Sequence, residues 1–255
     1  MLDAAGLTTM QMQRFANWTN LSETTFVLPP DQPGADYQVR IFTTAAELPF
    51  AGHPTLGTCH AWLEAGGRPA NPAEIVQQCK AGLVSIRRQP GEPALLGFAA
   101  PPLIRSGPVE EELVSAIAGM LGVGRADIVD AQWADNGPGW VAVLLGSADQ
   151  VLALTQSIEN LDVGVVGPYP AGSPCAFEVR AFFQQDGKIA EDPVTGSLNA
   201  SLAQWLLASG RATAPYVASQ GTALGRQGRV HVSAADGAIW IAGATVTRVT
   251  GTVEL

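Results

Sequence analysis

Lysine is almost missing from this chain of 255 residues and stands only at Lys80 and Lys188. Charged side chains make up just 15% of the sequence, and acids outnumber bases 23 to 14, for a formal net charge of −9. With no basic stripe and a negative balance, nucleic acid and anionic membrane are excluded as main partners. Cysteine is scarce too. Cys59, Cys79 and Cys175 are odd in number and form no CxxC. That excludes a disulfide framework and a zinc ribbon, and reads as free thiols in a cytoplasmic protein. No apolar run reaches the length of a membrane span. The opening MLDAAGLTTMQMQRF carries an early acid and no apolar segment, so it does not read as a signal peptide. The chain has no GxxxxGK[ST], no strand-linked GxGxxG, no HExxH and no GxSxG, which removes four familiar chemistries. Three histidines and no clustered acids predict no metal.

Apolar residues are what is present. They make up 47% of the chain, enough to bury a sizeable core in one large or two small domains. The sequence also matches itself. Shifted by 140, Asn20-Leu21 falls on Asn160-Leu161, Pro30 on Pro170, and Val39-Arg40-x-Phe42 on Val179-Arg180-x-Phe182. With four more residues in the second copy, Gly52 falls on Gly196, Leu63 on Leu207 and Gly66 on Gly210. With two more, Gly82, Val84, Gly91 and Gly97 fall on Gly228, Val230, Gly237 and Gly243. Collinear matches that drift by small insertions indicate a duplicated α+β architecture with two pseudo-symmetric domains. Residues 1–107 with 246–255 form the first, and 108–245 the second.

Both copies carry the same predicted elements. A helix near 7–18, or 147–157, leads to a strand at 24–29 or 163–167. An alternating strand follows, YQVRIFT at 37–43 or AFEVRAFF at 176–183. Next comes an apolar helix, 53–67 or 196–210, in which Pro54 suits a first turn and Ser197 suits an N-cap. Hairpins at 82–98 and 228–243 close the copies. Each domain is predicted to be an antiparallel sheet wrapped around its central helix. A Pro/Gly linker at 101–109 and a helix at 110–122 join them. The final TVTRVTGTVEL is expected to be a strand that returns to the first sheet. The strand WVAVLLG at 140–146 has no counterpart before Met1. That sheet position is expected to be empty or filled by a partner or the C-terminal strand, and such an edge favours a homodimer.

Twin halves usually place their site where they meet. The Gly52 and Gly196 turns, each opening a helix, suit a small anion such as a carboxylate. Differences between the copies single out other residues. Glu23 stands where its twin is Val163, and a carboxylate among apolar neighbours suits proton transfer. A solvated strand-edge glutamate is the alternative reading. His53 faces Ser197 in the alignment, and the second copy has gained Glu191-Asp192-Pro193.

NLSETTF at 20–26, IFT…ELPFAGHPTLGT at 41–58, NGPxxV at 136–141, EDPVTGS at 191–197 and QGxxLGRxGRVxV at 220–232 together resemble the PhzF family of phenazine-biosynthesis-type isomerases. The resemblance runs over essentially the whole chain. It implies the diaminopimelate epimerase-like fold, with a site between the halves. It also implies cofactor-independent isomerisation by acid–base chemistry on a small carboxylate-bearing molecule. Glu23 is then the essential acid/base, with His53, Asp192 and Ser197 as polar site residues beside Gly52 and Gly196. Epimerase relatives use two cysteines at the two turns. Here Ala51 with His53 and Thr195 with Ser197 stand there, which excludes a two-thiol mechanism. The other class in play is a protein that keeps the fold and binds small anions without turnover. Exchange of ligand C–H protons with solvent separates the two.

Overall fold

The computed structural model describes residues 1–89, 95–155, 158, 160–185 and 188–254. The turn expected at 90–94, Gly91 included, lies outside them. The chain forms two compact units, Met1–Ala99 with Ala242–Leu255, and Ala100–Ile241. The first division falls at 99/100 and not at 107/108, because residues 105–108 form a strand that pairs within the second unit.

In the first unit, helix α1 (Thr9–Thr19) starts at a capping box. The Thr8 hydroxyl accepts from the Gln11 backbone N–H while the Gln11 side chain accepts from Thr8. Its Met12 and Ala16 pack on Phe26 and Phe42 of the strands that follow. Strand β1 (Thr24–Leu28) pairs antiparallel with β2 (Tyr37–Phe42), and the short β3 (Glu47–Leu48) folds back on β2. Helix α2 (Gly52–Glu64) then crosses to β4 (Ile75–Cys79), followed by β5 (Gly82–Gln89) and β6 (Leu95–Ala99). The strand order is β1-β2-β4-β5-β6.

The second unit opens with β7 (Arg105–Pro108), α3 (Glu111–Leu121), β8 (Ile128–Asp135), β9 (Val141–Leu145) and the short α4 (Ala148–Leu152). Then come β10 (Val163–Pro168), β11 (Phe177–Gln185), β12 (Lys188–Asp192) and α5 (Gly196–Ala208). Strands β13 (Tyr216–Gln220) and β14 (Gly228–Ala235) follow, and β15 (Ala238–Ala244) runs across the division at 241/242. The order is β14-β13-β11-β10-β9-β8-β7, with β12 on β11.

The expected antiparallel pairing holds for most neighbours, but β2/β4, β9/β10 and β11/β13 are parallel. The helices are the reason. A strand–helix–strand crossover brings the chain back to its starting end, so the flanking strands run the same way. Strands β9 and β10 read as nearly unbroken apolar runs because both faces are covered. Val141, Val143, Val163 and Val165 face the core shared with α3 and α4. On the other face, a Cβ on Gly164 would lie 2.2 Å from a Leu198 methyl of α5. Gly164→Ala is therefore expected to cost about 1–3 kcal/mol by overpacking, read as a lowered urea midpoint. An unchanged midpoint would refute that packing.

The structure explains the self-match. Asn20 and Asn160 both adopt the left-handed conformation, at φ 51° and 58°, which asparagine tolerates. The four-residue drift lies in the hairpin after β11, where β11–β12 is longer than its twin β2–β3. Across it, Arg40 pairs with Glu47 and Arg180 with Glu191, each at 2.7 Å. At the β1 edge, opposite β2, the Met1 amine donates to Thr25 O (2.7 Å) and Met1 O accepts from the Val27 N–H (2.9 Å). In the second unit β9 takes this side of β10. The expected strand at 245–255 does not form among its described residues. They pair with no described strand, and Val246 and Val249 are exposed. Alternating Thr and Val cannot hold a strand without a ladder partner. No helix among the described residues is long and apolar enough to cross a membrane.

Candidate active site

Glu23 ends the turn between α1 and β1, and His53 is the second residue of α2. The first unit brings them together, with His53 Nε2 2.7 Å from Glu23 Oε2. The two atoms are in contact, but Glu23 Oε2 has no aligned hydrogen bond among the described residues. The Glu23 side chain is 16% exposed and that of His53 40%. A strand-edge glutamate in open solvent is therefore not what the fold builds. Both residues line a pocket of about 350 Å³ with Leu21, Thr25, Gly57 and Thr58. On its wall the Thr58 hydroxyl donates to Thr25 Oγ1 at 2.8 Å. Gly52 opens α2, and no side chain caps that helix. Uncapped N–H groups with the positive dipole end behind them suit an anion or developing oxyanion.

The second unit holds the other residues singled out. Asp192 ends β12, and its Oδ2 accepts from the Thr195 hydroxyl at 2.7 Å. Gly196 opens α5, whose N-cap is Thr195 and not Ser197. Thr195 has the extended backbone of a cap, and its carbonyl takes the first helical bond from the Asn199 N–H. Ser197 lies inside the first turn, so its hydroxyl turns to a different partner. Ser197 Oγ accepts from Trp140 Nε1 (3.0 Å) and Ser197 O accepts from Asn136 Nδ2 (2.9 Å). Sequence reasoning missed these supports, and Thr195 and Gln220 with them. The NGPxxV and QGxxLG segments were visible, but nothing in them says which distant residue they hold.

Cys59 is fully buried within α2, and burial pushes its thiol up to about 11. Cys79 is raised by burial as well. Such thiols stay protonated near neutral pH and are poor nucleophiles. His231, in β14, is lowered by burial.

Residues 1–251 match the family described as phenazine biosynthesis-like protein, PhzC-PhzF. Antisense-enhancing sequence 1 of Schizosaccharomyces pombe is 34% identical over 246 residues, covering 91% of this chain and 82% of that protein. Trans-2,3-dihydro-3-hydroxyanthranilate isomerase of Pseudomonas fluorescens is 33% identical over 232 residues, covering 88% and 79%. Among solved structures, a PhzF family protein of Bacillus anthracis superposes with a TM-score of 0.75 at 23% identity, covering 95% of this chain and 87% of that one. A hydroxyproline epimerase from Agrobacterium vitis gives a TM-score of 0.51 at 16% identity, covering 86% and 71%. These two likenesses show the diaminopimelate epimerase-like fold. With residues 1–251 matched and relatives named as isomerases, the chain belongs to the phenazine biosynthesis-like PhzF family and is an isomerase of that family.

Proposed function

We propose that this isomerase works without a cofactor and moves a proton on a small carboxylate-bearing metabolite, with Glu23 as the acid/base. The observation that carries this reading is the 2.7 Å approach of His53 Nε2 to the mostly buried Glu23 carboxylate at the pocket wall. Glu23 takes a proton from a substrate carbon, and the electron pair left behind spreads into the conjugated system. Glu23 then returns the proton at another carbon, so atoms and electrons balance without an oxidant. His53, beside that carboxylate, positions a polar group or carries a second proton. N–H groups at the start of a helix, at Gly52 or Gly196, suit the substrate carboxylate or the charge that develops. Ser197 adds a hydroxyl to the latter turn. Asp192 orients a polar group or carries a second proton. The relatives named for trans-2,3-dihydro-3-hydroxyanthranilate point to a ring carboxylate of that class. The reading includes a cytoplasmic homodimer, for which light scattering should give twice the 26.5 kDa chain mass. A monomer's mass would overturn that part.

A thermal-shift screen of anthranilate-like and amino-acid-like carboxylates tests the substrate class. A ligand at a hundred times its Kd stabilises by about 2.7 kcal/mol, a clear rise in melting temperature. NMR in D₂O should then show the bound carboxylate exchanging a C–H proton with solvent. A carboxylate that binds without exchange overturns catalysis in favour of a binding protein. A screen in which none stabilises overturns the substrate class.

A further inference from the structure

We infer that Gln220 and Thr195 form a directional hydrogen-bond relay that positions Asp192. The inference rests on the reading that Asp192 takes part in turnover. Gln220 is fully buried, and its amide makes four bonds. Its Oε1 accepts from the Thr195 backbone N–H (3.0 Å) and from Asn199 Nδ2 (2.8 Å). Its Nε2 donates to Asp192 O and to Thr195 Oγ1, both at 2.9 Å. A backbone N–H can only donate, so the amide oxygen must face it and the amide nitrogen must face Thr195 Oγ1. The Thr195 hydroxyl already accepts from Gln220, so its own proton goes to Asp192 Oδ2, 2.7 Å away. The direction of every bond is thereby set. Asp192 is held by one oxygen as an acceptor, and its backbone carbonyl is held by the same glutamine.

The duplication supplies an internal control. By the 144-residue shift, Asp192, Thr195 and Asn199 fall on Leu48, Ala51 and Thr55. Sheet register gives the fourth pair. Tyr37 lies beside Gln77 and Phe177 beside Ala218, so two residues on Cys79 stands where Gln220 does. The first unit builds the same strand–helix–strand crossover with leucine, alanine and cysteine at three of the four positions. That crossover carries a buried amide of its own, Gln77, which donates to Thr55 Oγ1 and accepts from the Tyr37 hydroxyl, so the fold does not require the particular set that ends on Asp192. Asp192 is the relay's end point, which makes Gln220 and Thr195 positioning residues for it.

Thr195→Val removes the hydroxyl at nearly constant shape, and Thr195→Ser keeps it. Crystals of the Val variant should show the Asp192 carboxylate displaced from its wild-type position, and crystals of the Ser variant should show it in place. With trans-2,3-dihydro-3-hydroxyanthranilate as substrate, Thr195→Val should lower kcat about tenfold, the worth of one hydrogen bond. KM should change little, and Thr195→Ser should restore the rate. An unmoved Asp192 in the Val variant, or an unchanged kcat, overturns the relay. A Ser variant as impaired as Val overturns it too, since bulk and not the hydroxyl would then matter. A wild-type protein inert toward that compound overturns only the substrate assignment. The position of Asp192 in the two variant crystals then decides the relay.

Discussion

Glu23→Gln should leave ligand binding within a few fold of wild type while turnover falls by about 10²–10⁴, the usual worth of general acid–base assistance. The amide keeps the shape of the side chain at the pocket wall and still meets His53 Nε2, which lies 2.7 Å from Glu23 Oε2. What it loses is the ability to take a proton and give it back. Binding is read by the ligand-induced thermal shift, and turnover by product formation and by exchange of substrate C–H protons in D₂O. A Gln variant that turns over a verified substrate at the wild-type rate would end the assignment of Glu23. Parallel losses of binding and turnover would instead mark a residue that binds substrate in its ground state.

Arg180→Ala or Glu191→Ala should destabilise the protein by about 3–5 kcal/mol, because each removes one partner of a buried ion pair. The side chains are only 5% and 2% exposed. Arg180 forks onto both Glu191 oxygens and donates twice more, to the carbonyls of Val151 in α4 and Leu154 just after it. The twin pair gives the comparison. Arg40 and Glu47 make the same fork at 24% and 20% exposure, so Arg40→Ala should cost only about 1 kcal/mol. Urea denaturation of the two alanine variants measures both. Equal losses would show that burial does not govern these pairs. The Arg40 hydrogen bond holds the Glu47 carboxyl below its usual range. A depressed folded value means that this contribution is present above the unfolded value and lost as pH falls through the folded one.

The amino-acid sequence by itself determined the duplication, the order of helices and strands, and the residues by which the two copies differ. Apolar periodicity is local and survives in each copy, so α1, α2 and α5 lie within a few residues of their expected positions. Glu23 and His53 were legible because the other copy has Val163 and Ser197 in their places. The NLSETTF and AGHP segments point to the same two residues. Tertiary structure decided what periodicity does not encode. The pairs β2/β4, β9/β10 and β11/β13 are parallel because helices return the chain to its starting end. The segment after β15 carries the composition of a strand but pairs with no described partner, and a strand exists only as part of a ladder. Thr195 caps α5 while Ser197 is held by Trp140, 57 residues away. Gln220 reaches back 25 residues to Thr195. Hydrogen-bond partners this far apart are chosen by packing, which the spacing of residues along the chain does not contain.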